Sequence, residues 1–141
     1  MLKGINPKIS ADLIGILAAM GHGDELVICD RNYPALSHSS RLVNYQSSNV
    51  EEVLSLVLTL FPLDTFVVKP IIRMEVVGDE NQITDGQDAM HKLAMDIEKR
   101  NFGMGSLPRH EFYERASKAY ATVATGDGQP YGCFILIKGV I

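Results

Sequence analysis

His22 stands between Gly21 and Gly23 in the run Met20-Gly21-His22-Gly23-Asp24-Glu25. An imidazole titrates near pH 6.5, so both protonation states exist near neutrality and one such group can both take and give a proton. The flanking glycines leave room for a small molecule to approach the ring. A plainer reading has Gly-His-Gly simply ending a helix, with the histidine capping its last carbonyls. Two more polar residues stand at the ends of apolar segments: Asp30, directly after Glu25-Leu26-Val27-Ile28-Cys29, and Arg109, at the mouth of a late helical segment. Element ends are where layered α/β proteins place their sites. Taken alone, an Asp after a strand is most often a turn former, and an Arg after Pro108 a solvated helix start.

Other patterns that suggest chemistry break down on inspection. His110-Glu111 opens like a zinc-binding His-Glu-x-x-His helix, but the fifth position is Glu114, so no metal is expected. Gly126-Asp127-Gly128 lacks the third glycine of a dinucleotide loop, and Gly103-Met104-Gly105-Ser106 lacks the lysine of a phosphate loop; both read as turns. No serine lies in a Gly-x-Ser-x-Gly elbow. His38 and His91 have no partner pattern and read as loop and surface groups.

The elements that must position these residues follow from periodicity. Ser10 caps a helix over 11–20 with Leu13, Ile14, Leu17 and Met20 on one face. Residues 25–29 form a nearly continuous apolar run, as in a strand covered on both faces, so helices are expected above and below the sheet. A loop over 30–40 leads to a brief strand at 41–44. Ser48-Asn49 begin a helix carrying Val53, Leu54, Leu56, Val57 and Leu60, with Glu51 and Glu52 at its positive end and Pro62 closing it. Val67-Val68 predict a weak edge segment, 71–77 a strand, and 87–100 a helix with Met90, Leu93, Ala94 and Ile97 inward. Residues 102–108 read as a loop and 110–119 as a helix. Strands over 120–125 and 133–138 are expected to be joined as a hairpin through Gly126-Asp127-Gly128-Gln129-Pro130. The sum is one α/β domain over 1–141 with a mixed sheet.

Composition agrees with that class and excludes others. The chain has 141 residues, 46% apolar and 21% charged, which suits one ordinary globular domain. With 13 basic against 17 acidic residues, the formal charge of −4 gives no reason to approach nucleic acid or an anionic membrane. Asp12 interrupts the first apolar stretch, and no run reaches membrane-spanning length. Cys29 and Cys133 lie in apolar runs, as free thiols do in a reducing cytoplasm.

Beyond the His22 run, Asp30 with Tyr33-Pro34, Phe112-Tyr113-Glu114-Arg115-Ala116, Thr125-Gly126, Tyr131-Gly132 and Lys138-Gly139-Val140 follow in an order and spacing that resembles the fucose mutarotase and ribose pyranase family, from Lys3 to Val140. The resemblance implies interconversion of the anomers of a free monosaccharide, a three-layer α/β/α fold, no cofactor, and assembly into homo-oligomeric rings, typically decamers. Matched by position, His22 is implied as the proton donor, and Asp30, Arg109 and the segment Tyr131-Gly132-Cys133 as sugar contacts. Relatives carry Asn where this chain has Cys133, whose thiol is only a weak donor. Arg109 favours the fucose branch, because the ribose branch has histidine there. A non-catalytic sugar-binding accessory protein is the alternative from another class. Opening a pyranose needs one proton delivered to the ring oxygen and one removed from the anomeric hydroxyl, which suits His22. Asp30 accepting from sugar hydroxyls and Arg109 donating to others would hold the ring. Five extended residues at ~3.3 Å each put His22 and Asp30 on the order of 20 Å apart. Either the glycine loop folds back, or the site is completed between subunits; an interface is expected.

Overall fold

Helix α1, Ala11–Ala19, begins where the Ser10 hydroxyl accepts from the Leu13 amide at 3.2 Å, and it buries Leu13 and Leu17. The computed structural model describes residues 2–77 and 79–141. The chain continues through β1 (Glu25–Cys29), β2 (Leu42–Tyr45), α2 (Val50–Leu58), β3 (Ile71–Met74), α3 (Asp85–Glu98), β4 (Met104–Leu107), α4 (Arg109–Ser117), β5 (Ala121–Thr125) and β6 (Phe134–Ile137). Asn49 caps α2 by accepting from the Glu52 amide at 2.8 Å. Thr84 and Gln87 form a reciprocal capping box on α3.

The sheet order is β2-β5-β1-β6-β3-β4. β1 and β2 each run parallel to β5, β3 runs parallel to β4, and β6 runs antiparallel to both β1 and β3. Five strands therefore point one way and β6 alone points back. Alternate residues of the sheet enter two cores. Leu26, Ile28, Ile71, Val123 and Leu136 pack with Leu13, Val53, Val57 and Ala94 of α1, α2 and α3. Val27, Cys29, Ile72 and Ile135 pack with Phe112 and Ala116 of α4. This is the mixed, three-layer α/β/α fold expected. Leu26 to Cys29 are all fully buried, and each such aliphatic side chain contributes about 1.5–3 kcal/mol.

Several elements differ from expectation. Residues 104–107 are a strand rather than loop. Their small residues serve close packing, since a Cβ on Gly105 would come within 3.2 Å of Ile72 Cγ1. Val67 and Val68 lie in a bend, not an edge segment, because the Asp64 carboxylate turns the chain by accepting from the Phe66 amide at 2.9 Å. β3 stops at Met74, and beyond it Val76 makes only an isolated bridge to Asp79. α3 starts at Asp85, ahead of the apolar stripe, because Thr84 is its cap, and it ends at Glu98 with Lys99 left-handed at φ 52°. Leu60 lies past the end of α2 and is 38% exposed. β5 and β6 are not a hairpin, because β1 lies between them. His91 is partly buried, with Nε2 at 2.7 Å from the Phe102 carbonyl oxygen.

Candidate active site

The strand directions sort the polar residues onto the two edges of the sheet. The C-terminal ends of β1, β3 and β4 and the N-terminal end of β6 meet at one edge. There Asp30, Tyr33, Met74, Arg109, Tyr113, Tyr131 and Cys133 line a cavity of about 240 Å³. Asp30 is 5% exposed and organises this edge. Its Oδ1 accepts from the amides of Asn32 at 2.9 Å and Tyr33 at 3.2 Å, which fixes the turn after β1. Its Oδ2 accepts from the Gly132 amide at 3.1 Å and, weakly, from the Cys133 thiol at 3.5 Å. Oδ2 is therefore the oxygen with capacity left for a ligand hydroxyl.

Tyr131 holds a left-handed backbone, φ 60°, which costs a non-glycine residue of order 1–3 kcal/mol and is kept only where the surroundings enforce it. Gln87, 1% exposed, supplies that enforcement: its Nε2 donates to the carbonyls of Tyr131 at 3.0 Å and Met74 at 2.7 Å. Arg109 is the first residue of α4 and is exposed at the rim. Burial, then the negative charge of Asp30, pushes the Cys133 thiol well above its ordinary range, and Cys29 is pushed up to about 12 by the same two causes. Burial also raises the phenols of Tyr33 and Tyr113. At neutral pH the edge thus offers one carboxylate, one guanidinium and protonated hydroxyl and thiol groups, a set suited to a neutral polyol.

His22 lies at the opposite edge, before β1 and beside the C-terminal end of β6. The Gly23 amide donates to the Lys138 carbonyl at 2.8 Å, Lys138 Nζ donates to the carbonyl of Leu17 at 2.8 Å and to that of Met20, and the Asp24 carboxylate accepts from the Gly21 amide at 2.7 Å. The loop is therefore pinned and does not fold back along β1. His22 Nε2 lies 3.3 Å from Asp64 Oδ2, and its ring packs on Phe66 with centroids 5.4 Å apart. A largely apolar cavity of about 570 Å³, lined by Ile14, Leu17, Met20, Lys138 and Val140 among others, adjoins it.

The structure thus brings together Asp30, Arg109, Tyr131, Gly132 and Cys133 and leaves His22 a strand's length away. A third and larger cavity of about 860 Å³ runs beside the Asp30 pocket, shares Asp30 and Tyr33 with it, and includes Arg31, Asn44, Gln46 and Thr125. Residue patterns alone overlooked Tyr33, Tyr113 and Met74 as cavity walls and Asp64 as the partner of His22. Only the topology places Asp64 there: Leu63 bridges Lys138, and the Asp64 amide donates to the Ile137 carbonyl at 3.0 Å.

Comparison with known proteins bears on these two groups of residues. The RbsD / FucU transport protein family matches residues 3–141. The L-fucose mutarotase of Histophilus somni is 38% identical over 144 residues, covering 99% of this chain and 97% of that protein. The crystal structure of the fucose mutarotase in complex with L-fucose from Streptococcus pneumoniae has a TM-score of 0.89 at 38% identity, with 99% of each chain covered. FucU from Bifidobacterium longum has a TM-score of 0.91 at 40% identity, again over 99% of each chain.

Proposed function

Because the chain belongs to the RbsD / FucU transport protein family, we propose that it is a cofactor-independent mutarotase that interconverts the anomers of L-fucose or a stereochemically similar aldose. The observation that carries this reading is the cavity at the Asp30 edge in a chain similar over its full length to L-fucose mutarotases. Asp30 Oδ2, Arg109, Tyr131 and the Gly132-Cys133 backbone hold the sugar's hydroxyls, and His22 moves the proton. The anomeric hydroxyl gives its proton to His22, the bond between C1 and the ring oxygen breaks to leave an aldehyde, and His22 returns the proton to that ring oxygen. Rotation about the bond from C1 to C2 and reclosure in reverse yield the other anomer.

His22 acts on a sugar held by a neighbouring copy. The pinned glycine loop and the length of β1 support this, as does the 860 Å³ groove beside the Asp30 pocket, which offers a seat for the neighbour's loop. A contact that joins two different patches of one chain forms a ring where the rotation between copies closes and an open filament where it does not, and the family resemblance implies rings, decamers among them, in the cytoplasm. Within the family, Arg109 favours a fucose-type over a ribose-type substrate. Cys133 in place of Asn favours the second reading, a relative that binds sugar without turning it over.

Exchange spectroscopy of anomeric protons tests the proposal. Expected is accelerated exchange for fucose with the wild type and none with His22→Ala. Binding without acceleration for every sugar would leave the second reading. Complementation tests the shared site: His22→Ala and Arg109→Ala are each inactive, and hybrids formed by dissociating, mixing and reassembling them recover about a quarter of the sites, because a quarter of random interfaces carry both intact residues. No recovery in hybrids shown to be mixed would sink the interface.

A further inference from the structure

Among the described residues, five buried side-chain atoms have no hydrogen-bond partner: Tyr33 Oη, Ser39 Oγ, Arg73 Nη1, Arg100 Nε and Thr122 Oγ1. Of these residues only Tyr33 lines the Asp30 cavity. A phenol without a partner is costly to bury, and a phenylalanine would fill the same space without that cost. Tyr33 is 7% exposed and is held from several sides. Its amide donates to Asp30 Oδ1 at 3.2 Å, and its ring meets Phe112, Tyr113 and His38 edge-on, with centroids 6.3, 5.2 and 6.1 Å away. The hydroxyl is therefore not free to swing out to water. Burial, and then the ionisable groups of Cys29, Cys133 and Tyr113, raise the phenol above its ordinary range, so it keeps its proton.

From this geometry we infer that Tyr33 is a specificity-determining residue: its Oη binds one ring hydroxyl of the sugar held at Asp30 Oδ2. The inference deepens the proposed mutarotase reading and rests on it for the ligand, though it concerns binding and not turnover. The groups around Asp30 Oδ2 leave that role open. The carboxylate can only accept, the Arg109 guanidinium can only donate, and the Cys133 thiol, 3.5 Å from Oδ2, is a weak donor. A phenol both donates and accepts, so Tyr33 can donate to the sugar oxygen whose own proton goes to Asp30. Oη is closed to solvent, and the contact forms as the sugar enters and the half-buried Tyr113 ring gives way, a side-chain shift of the kind common at binding surfaces. A sugar that lacks this hydroxyl leaves Oη without a partner, and the site discriminates against it for that reason.

Tyr33→Phe, which keeps the ring, tests this against fucose and a set of fucoses that each lack one ring hydroxyl, with affinities read by NMR titration. Expected is a loss of fucose affinity of about 3- to 10-fold, and one deoxy sugar that binds wild type and variant within about twofold of each other. Unchanged affinity for fucose, or an equal loss for every deoxy sugar, overturns the proposal. The second measurement is the urea midpoint of the sugar-free protein, expected unchanged or raised in Tyr33→Phe because an unpartnered hydroxyl contributes no stability. A lowered midpoint reveals a partner within the protein and overturns it. So does a variant whose only defect is dissociation of the assembled form, read by sedimentation. A wild type that binds sugar but exchanges no anomers defeats the mutarotase reading alone, and one that binds no monosaccharide defeats both.

Discussion

The two buried thiols carry a consequence for alkaline stability. Cys29 is pushed up to about 12 from an ordinary 9.0 by burial and then by the charge of Asp30. Between those values the unfolded chain has lost a proton that the native chain still holds. The stability contributed by Cys29 is therefore complete below pH 9 and is lost as pH rises toward 12. Urea midpoints measured from pH 7 to 10.5 should fall above pH 9, and more shallowly in Cys29→Ala. Cys133 is raised by the same causes, so neither thiol should react with a thiol reagent at pH 8 until the protein is denatured. Cys133→Asn places an amide beside Asp30 Oδ2 in place of a weak thiol contact at 3.5 Å. It should tighten sugar binding by about 2- to 10-fold, the worth of one ordinary hydrogen bond, as read by NMR titration. At this scale the residues that line one cavity were legible, because Asp30, Arg109 and the Tyr131 segment could be matched by position. Tyr33 and Asp64 were not, since an aromatic and an Asp in turns look alike whether or not a cavity or an imidazole lies beside them.

Gln87 ties three elements together, reaching the end of β3, the Tyr131 loop and the start of α3. Gln87→Leu removes these bonds and leaves the buried Met74 carbonyl and the partly buried Tyr131 carbonyl with one partner fewer. A loss of about 2–3 kcal/mol in unfolding free energy is expected, with a rise in sugar KM as Tyr131 leaves its left-handed conformation. Denaturant titration and kinetics on the same preparation check both. Helix starts were readable from Ser10 and Asn49 because caps act locally. β4 was not, because an edge strand made of Met104-Gly105-Ser106-Leu107 has a composition that also suits a loop, and only its packing on Ile72 distinguishes the two. The β5–β6 hairpin failed for a related reason: proximity in sequence suggests pairing, yet the preference of β1 for both neighbours overrides it.

For the whole molecule, the bend after Asp64 leaves Phe66, whose ring packs on His22, 74% exposed and Val68, two residues on, 81% exposed. Exposed apolar side chains mark interaction surfaces, so on the proposed shared site this pair lies in the contact between copies. Val68→Asp should leave the fold intact by circular dichroism, lower the sedimentation coefficient to that of smaller species and abolish anomer exchange in parallel. The separation of His22 from Asp30 was foreseeable from the length of β1 alone, whereas which residues share an edge required the strand directions. The place of β6 has a further consequence, for the timing of folding on the ribosome. Among the described strands it comes last in the sequence, yet it is inserted between β1 and β3, and its two ends carry Cys133 to the Asp30 cavity and Lys138 to the His22 loop. Until residue 137 has left the exit tunnel, the nascent chain has two unzipped sheet fragments with bare apolar edges at β1 and β3. Neither the Asp30 cavity nor the anchored His22 loop can exist before that moment, and both appear together when β6 zips in. Chaperone dependence should therefore be greatest for chains stalled short of β6 and vanish once it is released.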